Sequence, residues 1–242
     1  MTTLSPTKTE INSVIALYSN GQIQEALDSV ETLTKDYPKE PLLFNIRGVC
    51  YRAISQLDEA VKSFEKALAL RPNYADAHNN LGIALMELGQ LDMAIKSYEK
   101  AIAIKPDYAE AYYNLGNILS ALSQQEAAVK RFEKALAIKP DYTEVNYNLG
   151  LTLLELGQLD AAVKCYEKVL TVNPEHAEVH RNITTIKKYT ASDPQITQMQ
   201  SILSKGDLSQ SDRMHLCFAL AKVYEDLGKQ DELFKFLSLI HI

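Results

Sequence analysis

The sequence predicts an all-α fold, a solenoid of stacked antiparallel helix hairpins, and three observations predict it. Pro38, Pro72, Pro106, Pro140 and Pro174 recur every 34 residues. Between them the text nearly copies itself, as in Ala75-Asp76-Ala77-His78-Asn79-Asn80-Leu81-Gly82 and Ala109-Glu110-Ala111-Tyr112-Tyr113-Asn114-Leu115-Gly116. Signals that start and stop helices fall at the same offsets in each unit. One hairpin cannot bury its apolar face alone, so such units must stack into a continuous core.

In chain order, residues 1–6 read as a flexible tail. Repeats follow at 7–40, 41–74, 75–108, 109–142 and 143–176, with a partial unit at 177–189. Gly48, Gly82, Gly116 and Gly150 take the eighth position, mid-helix, where Gly costs roughly 1 kcal/mol against Ala. A cost repeated in register implies close helix approach. Ala26, Ala60, Ala94, Ala128 and Ala162 stand at the twentieth position on the second helix, with Phe64, Tyr98, Phe132 and Tyr166 filling the flanking space. Ala67, Ala101 and Ala135 do the same against the next repeat. Gly21, Gly89 and Gly157 mark the turn between paired helices, as C-terminal caps, with Ser55 and Ser123 as substitutes. Each unit ends at a proline, which cannot continue a helix. Asp107 with Glu110, and Asp141 with Glu144, predict capping boxes for the helices that follow.

Residues 190–242 read as a degenerate helical region. Thr184 stands where Gly is expected, and the helical text breaks at Thr190-Ala191-Ser192. Asp193-Pro194 predicts a cap and first-turn proline for a helix through Leu203. After Lys205-Gly206-Asp207, residues 214–237 regain the pattern, with Ala221, Tyr224 and Gly228 near the expected offsets. The ending Leu237-Ser238-Leu239-Ile240-His241-Ile242 is apolar where a solenoid usually closes with a polar helix. The expectation is a truncated chain whose exposed end promotes self-association.

Composition narrows the function. A formal charge of −6 over 242 residues argues against a nucleic-acid partner, which needs a basic stripe. The same acidity disfavours anionic membrane surfaces, and no stretch approaches the ~20 apolar residues of a membrane span. No apolar leader opens the chain. Cys50, Cys165 and Cys217 fall inside predicted helices and read as buried free thiols, which fits a cytoplasmic protein. His176 and His180 are four apart, but His176 precedes its helix and no third ligand is near, so no metal is expected. Glu175 and Glu178 beside them read as first-turn helix caps. No phosphate loop, zinc-protease motif or nucleophile elbow occurs, so neither cofactor nor catalytic residue is expected. The Glu and Lys residues of second helices, such as Glu99-Lys100, read as a solvated outer face.

The 34-residue unit with its small, aromatic and proline landmarks resembles the tetratricopeptide repeat over residues 7–176. That resemblance implies a right-handed α-solenoid whose first helices line a concave groove for a protein or peptide ligand. Asn80, Asn114, Asn148 and Asn182 share the sixth position and resemble the asparagine ladder lining the groove of protein O-GlcNAc transferases. An amide offers a donor and an acceptor side by side, as a peptide backbone does. Helices roughly 8–10 Å apart would meet an extended peptide about every third residue. The alternative is that these asparagines only bond adjacent repeats to one another. Beside the ladder lie Asn45, Asn79, Tyr113 and Tyr147 at the fifth position, with Val49, Ile83, Asn117 and Leu151 at the ninth. These suit an amphipathic or extended partner, or else are partly buried solenoid surface. The basic residues of the carboxylate-clamp subclass are absent at Asn45, Asn79 and Asn80. Residues 193–229, with Phe218-Ala219-Leu220-Ala221-Lys222-Val223-Tyr224, resemble the junction that precedes the catalytic domain in repeat-containing sulfotransferases. The expected function is therefore a non-catalytic interaction scaffold. The alternative is the substrate-recruiting arm of a larger transferase, a sulfotransferase first and an O-GlcNAc-type glycosyltransferase second.

Overall fold

The structure, a computed structural model, describes residues 5–241; residues 1–4 of the predicted tail, and Ile242, lie outside the described residues. Among the described residues there are α-helices and one short 3-10 turn and no strand. The chain is an all-α solenoid of helical hairpins. It divides into two compact units, residues 1–124 and 125–242.

The first unit holds α1 (Lys8–Ser19), α2 (Ile23–Asp36), α3 (Pro41–Ala53), α4 (Leu57–Leu70), α5 (Ala75–Glu87), α6 (Leu91–Ile104) and α7 (Ala109–Ala121). Here α1 pairs with α2, α3 with α4 and α5 with α6, and each second helix packs on the first helix of the next hairpin. The second unit holds α8 (Gln125–Ile138), α9 (Thr143–Glu155), α10 (Leu159–Val172), α11 (Ala177–Ile186), α12 (Pro194–Ser204), α13 (Gln210–Asp226) and α14 (Gln230–Ser238). In it α9 pairs with α10 and α13 with α14, and α11 packs directly on α13.

The eighth-position glycines are seats for rings. A Cβ at Gly48 would stand 2.5 Å from Cε1 of Phe64, at Gly82 2.6 Å from Cε1 of Tyr98, and at Gly150 2.6 Å from Cε1 of Tyr166. Each ring is fully buried. The rings thus lie over the glycine itself rather than beside it, which is why no larger residue serves there.

Turns between paired helices close by one pattern. At Gly89, with φ +75°, the amide of Gln90 bonds to the Leu85 carbonyl at 2.8 Å and that of Gly89 to Met86 at 2.9 Å. Ser55 and Ser123 hold the same left-handed conformation, at φ 60° and 58°. Both make the same two bonds, so the geometry of the turn overrides the steric preference of the side chain.

The capping boxes predicted at Asp107/Glu110 and Asp141/Glu144 do not form. Tyr108 and Tyr142 occupy the cap positions of α7 and α9, and neither side chain bonds the helix start. Each aspartate falls one residue too early, out of register with the free N–H groups. A capping box does form where none was predicted: Thr7 accepts from the Glu10 amide at 3.2 Å and Glu10 accepts from the Thr7 amide at 2.7 Å. Asp193 caps α12 as predicted, accepting from the Gln195 amide at 3.1 Å. The fourth position of a first helix ties back to the preceding loop: His78 Nε2 lies 2.9 Å from the Pro72 carbonyl, and His180 Nε2 2.9 Å from that of Pro174. Asn146 Nδ2 donates to the Tyr142 carbonyl at 3.2 Å.

In the partial sixth repeat α11 stops at Ile186, and Lys187 is extended. Tyr189 then buries with Ile196, Met199, Leu216, Leu220 and Phe236 in the core of the second unit. Its hydroxyl donates to Gln195 Oε1 at 2.7 Å. Leu239, in the apolar ending, packs against the same core. Phe234 on α14 is exposed.

Candidate interaction surface

In the first unit the candidate residues sit on α3, α5 and α7, and α3 touches α5 as α5 touches α7. Asn80 Nδ2 donates to Asn45 Oδ1 at 3.1 Å, and Asn114 Nδ2 donates to Asn79 Oδ1 at 3.2 Å. The bonds run diagonally, from the sixth position of one repeat to the fifth of the repeat before. Asn45 and Asn79 are buried; Asn80 and Asn114 are half-buried, and so is Ile83. A primary amide has two N–H donors and two acceptor positions. Each of these bonds uses one N–H of the donating asparagine, and its Oδ1 and second N–H remain. Half-buried Tyr113 and Asn117 complete this group on α7, and both are engaged.

Tyr74, which the repeat pattern did not single out, joins this surface through a hydrogen bond with Asn45. Tyr74 and Tyr108 stand at the caps of α5 and α7. Arg71 lies 4.9 Å from the Tyr74 ring centroid and Lys105 4.5 Å from that of Tyr108. In the second unit Lys139 lies 4.4 Å from that of Tyr142. Burial pushes the Tyr108 hydroxyl well above the ordinary phenolic value, and its hydrogen bond to the Asp76 carboxylate pushes it further. The signal was legible: a basic residue, proline, any residue, then tyrosine, at the 34-residue interval.

In the second unit Tyr147, Asn148 and Leu151 lie on α9 and Asn182 on α11, all half-buried. The Tyr147 ring stacks on His176, centroids 5.4 Å apart and 23° between planes. Burial raises the Tyr147 hydroxyl, and so does its hydrogen bond to Glu178. Glu178 is thus engaged across the repeat, and Asn182 stands beside Tyr147 and Tyr166. Asn148 has partners of its own.

His180 is fully buried, and both its ring nitrogens are occupied. Nε2 faces the Pro174 carbonyl and Nδ1 faces Gln195 Nε2, each at 2.9 Å. A carbonyl only accepts and an amide nitrogen only donates, so Nε2 carries the proton. His180 therefore has no lone pair to share with His176. Among the described residues no three His, Cys, Asp or Glu side chains gather as a metal site. Glu175 pairs with Lys205 rather than capping α11. No helix among the described residues is long and apolar enough to cross a membrane.

Hairpins in 34-residue register, seated ring on glycine, define an α-helical repeat protein of the class typical of protein–protein interaction. Models of the TPR repeat match residues 48–89, 84–123 and 116–157, and that of the tetratricopeptide repeat matches 144–176. Together these span more than half of the chain, which belongs to the tetratricopeptide repeat family. No curated protein sequence matches it. Among solved structures it is similar to the C-terminal part of a TPR repeat-containing protein from Cytophaga hutchinsonii, at 19% identity and TM-score 0.76, over 95% of this chain and 93% of that one. MamA from Desulfovibrio magneticus RS-1 is similar at 24% identity and TM-score 0.61, over 70% and 96% of the two chains. YrrB, described as a TPR protein with an unusual peptide-binding site, is similar at 18% identity and TM-score 0.60, over 86% and 97%. At these identities the likeness speaks for the fold. The resemblance of residues 193–229 to a sulfotransferase junction finds no support in these comparisons.

Proposed function

We propose that this chain is a non-catalytic scaffold that binds an extended or helical peptide along the exposed faces of its first helices. One observation carries the reading: the inter-repeat bonds of Asn80 and Asn114 leave each side chain an acceptor and a donor while fixing its rotamer. Linking repeats and gripping a peptide are therefore compatible roles, because an amide already held by a neighbour loses little further freedom when it binds. Ile83 adds aliphatic surface one turn from Asn80, as Leu151 does one turn from Asn148 in the second unit. A cytoplasmic location belongs to the same reading.

The test places a photo-crosslinking residue at Ile83, and separately at Glu99 on the outward part of α6. Crosslinks to a partner from position 83 and not from 99 are expected. Crosslinks from 99 alone would place binding on the second helices and end this reading.

A further inference from the structure

On the second unit, where α11 meets α13, one guanidinium is held by both an aromatic ring and an imidazole. The guanidinium carbon of Arg181 lies 5.2 Å from the ring centroid of Phe218. One of its terminal nitrogens lies 3.3 Å from His215 Nδ1. A guanidinium has no acceptor, so the imidazole accepts and Arg181 donates. The two acids one turn away each accept a hydroxyl and neither pairs with the guanidinium. Glu178, one turn earlier on α11, takes the Tyr147 hydroxyl. Asp212, one turn before His215, takes the Ser209 hydroxyl at 2.7 Å. Arg181 forms no ion pair among the described residues. Phe218 and Met214, one turn before it on α13, are each 37% exposed.

We infer that Arg181, held by Phe218 and His215, is a subsite for an aspartate or glutamate side chain carried on a peptide next to an aliphatic residue. The held guanidinium carries the choice of ligand: it is fixed by a ring and an imidazole and forms no ion pair among the described residues. Its planar fork matches a carboxylate through two parallel N–H donors. Stacking on Phe218 and the bond to His215 remove the rotamer freedom that usually weakens exposed ion pairs. Met214 and the open part of the Phe218 ring would receive the aliphatic neighbour and keep water from the pair. This assignment rests on the peptide-binding reading above and names the chemistry of a ligand group at α11 and α13 of the second unit.

The test titrates the full chain with acetyl-Ala-Leu-Glu-Leu-Ala-amide and with its Gln counterpart, by calorimetry and by backbone NMR shifts. The Glu peptide is expected to bind about tenfold tighter or more, the discrimination a charge-assisted hydrogen bond supplies. Shifts should concentrate at Arg181, His215 and Phe218. R181Q should erase the preference with an unchanged helical melt, and R181K should keep only part of it. Equal affinity for the two peptides in the wild-type chain would overturn the carboxylate subsite while leaving the groove reading standing. Absence of binding to the Glu peptide at millimolar concentration would overturn it too, as would binding only of a phosphoserine version. The groove reading is judged separately, by the crosslinks from position 83.

Discussion

Gly82→Ala is the perturbation that most directly interrogates the packing of the repeat. A Cβ at this position would stand 2.6 Å from Cε1 of Tyr98, whereas carbon atoms prefer about 3.5–4.0 Å. Relief requires roughly 1 Å of separation between α5 and α6. The ring cannot supply it by swinging away, because Tyr98 is fully buried between its neighbours. Overpacking of this kind costs about 1–3 kcal/mol. Against it, alanine gains about 1 kcal/mol of helix propensity over glycine. The clash should win or at least offset the gain, with a net loss of about 0–2 kcal/mol. Urea unfolding followed by circular dichroism gives the total, and hydrogen exchange at the amides of α5 and α6 locates it, since long repeat arrays need not melt in one step. The decisive comparison is a cycle with Tyr98→Leu. In that background the ring is gone and Gly82→Ala should become neutral or stabilising. If Gly82→Ala stabilises the otherwise unaltered chain, the ring-on-glycine account is wrong.

Ser55→Gly and Ser123→Gly should each stabilise the chain by about 0.5–1 kcal/mol in urea melts, because both serines hold φ near +60°, a conformation that costs an L-residue roughly 1–2 kcal/mol; a loss on either substitution would refute the turn argument. The second unit should weaken on acidification through His180. Burial chiefly, with a smaller effect of His176, holds its imidazole below the ordinary 6.5, against the opposing hydrogen bond of the Pro174 carbonyl. A depressed folded value means that this stability is present above pH 6.5 and is lost as pH falls through the folded value; His180→Gln should flatten that part of the pH profile, and an unchanged profile counts against it. Native Cys50, Cys165 and Cys217 should resist iodoacetamide until the chain unfolds, since all are buried. Burial raises each thiol, Cys50 to about 11, and rapid labelling of the folded chain by mass spectrometry would contradict this.

The period of 34 and its glycine, alanine and proline landmarks were enough to write the hairpins into the sequence. Their spacing encodes local events: where a helix stops, where it turns, and which face is small enough to approach another. Asp193 at the start of α12 is of this kind, since a capping side chain acts within three residues of itself. Asp107 and Asp141 show the limit even there, because a shift of one residue in the helix start moved a correct pattern out of hydrogen-bonding register.

The polar groups of the candidate surface were legible as text, and their wiring less so. Asparagines at constant intervals were visible as text, but their bonds run from the sixth position of one repeat to the fifth of another. That diagonal depends on the offset between stacked helices, which no single repeat contains. Arg181 passed unnoticed for the same reason. Its significance lies in Phe218 and His215 reaching it from α13, after an interrupted segment in which the 34-residue register fails. Periodicity, being a property of neighbours along the chain, fixed the helices and their pairing; the distances between stacked rods decided which polar groups meet and which ring and imidazole hold Arg181.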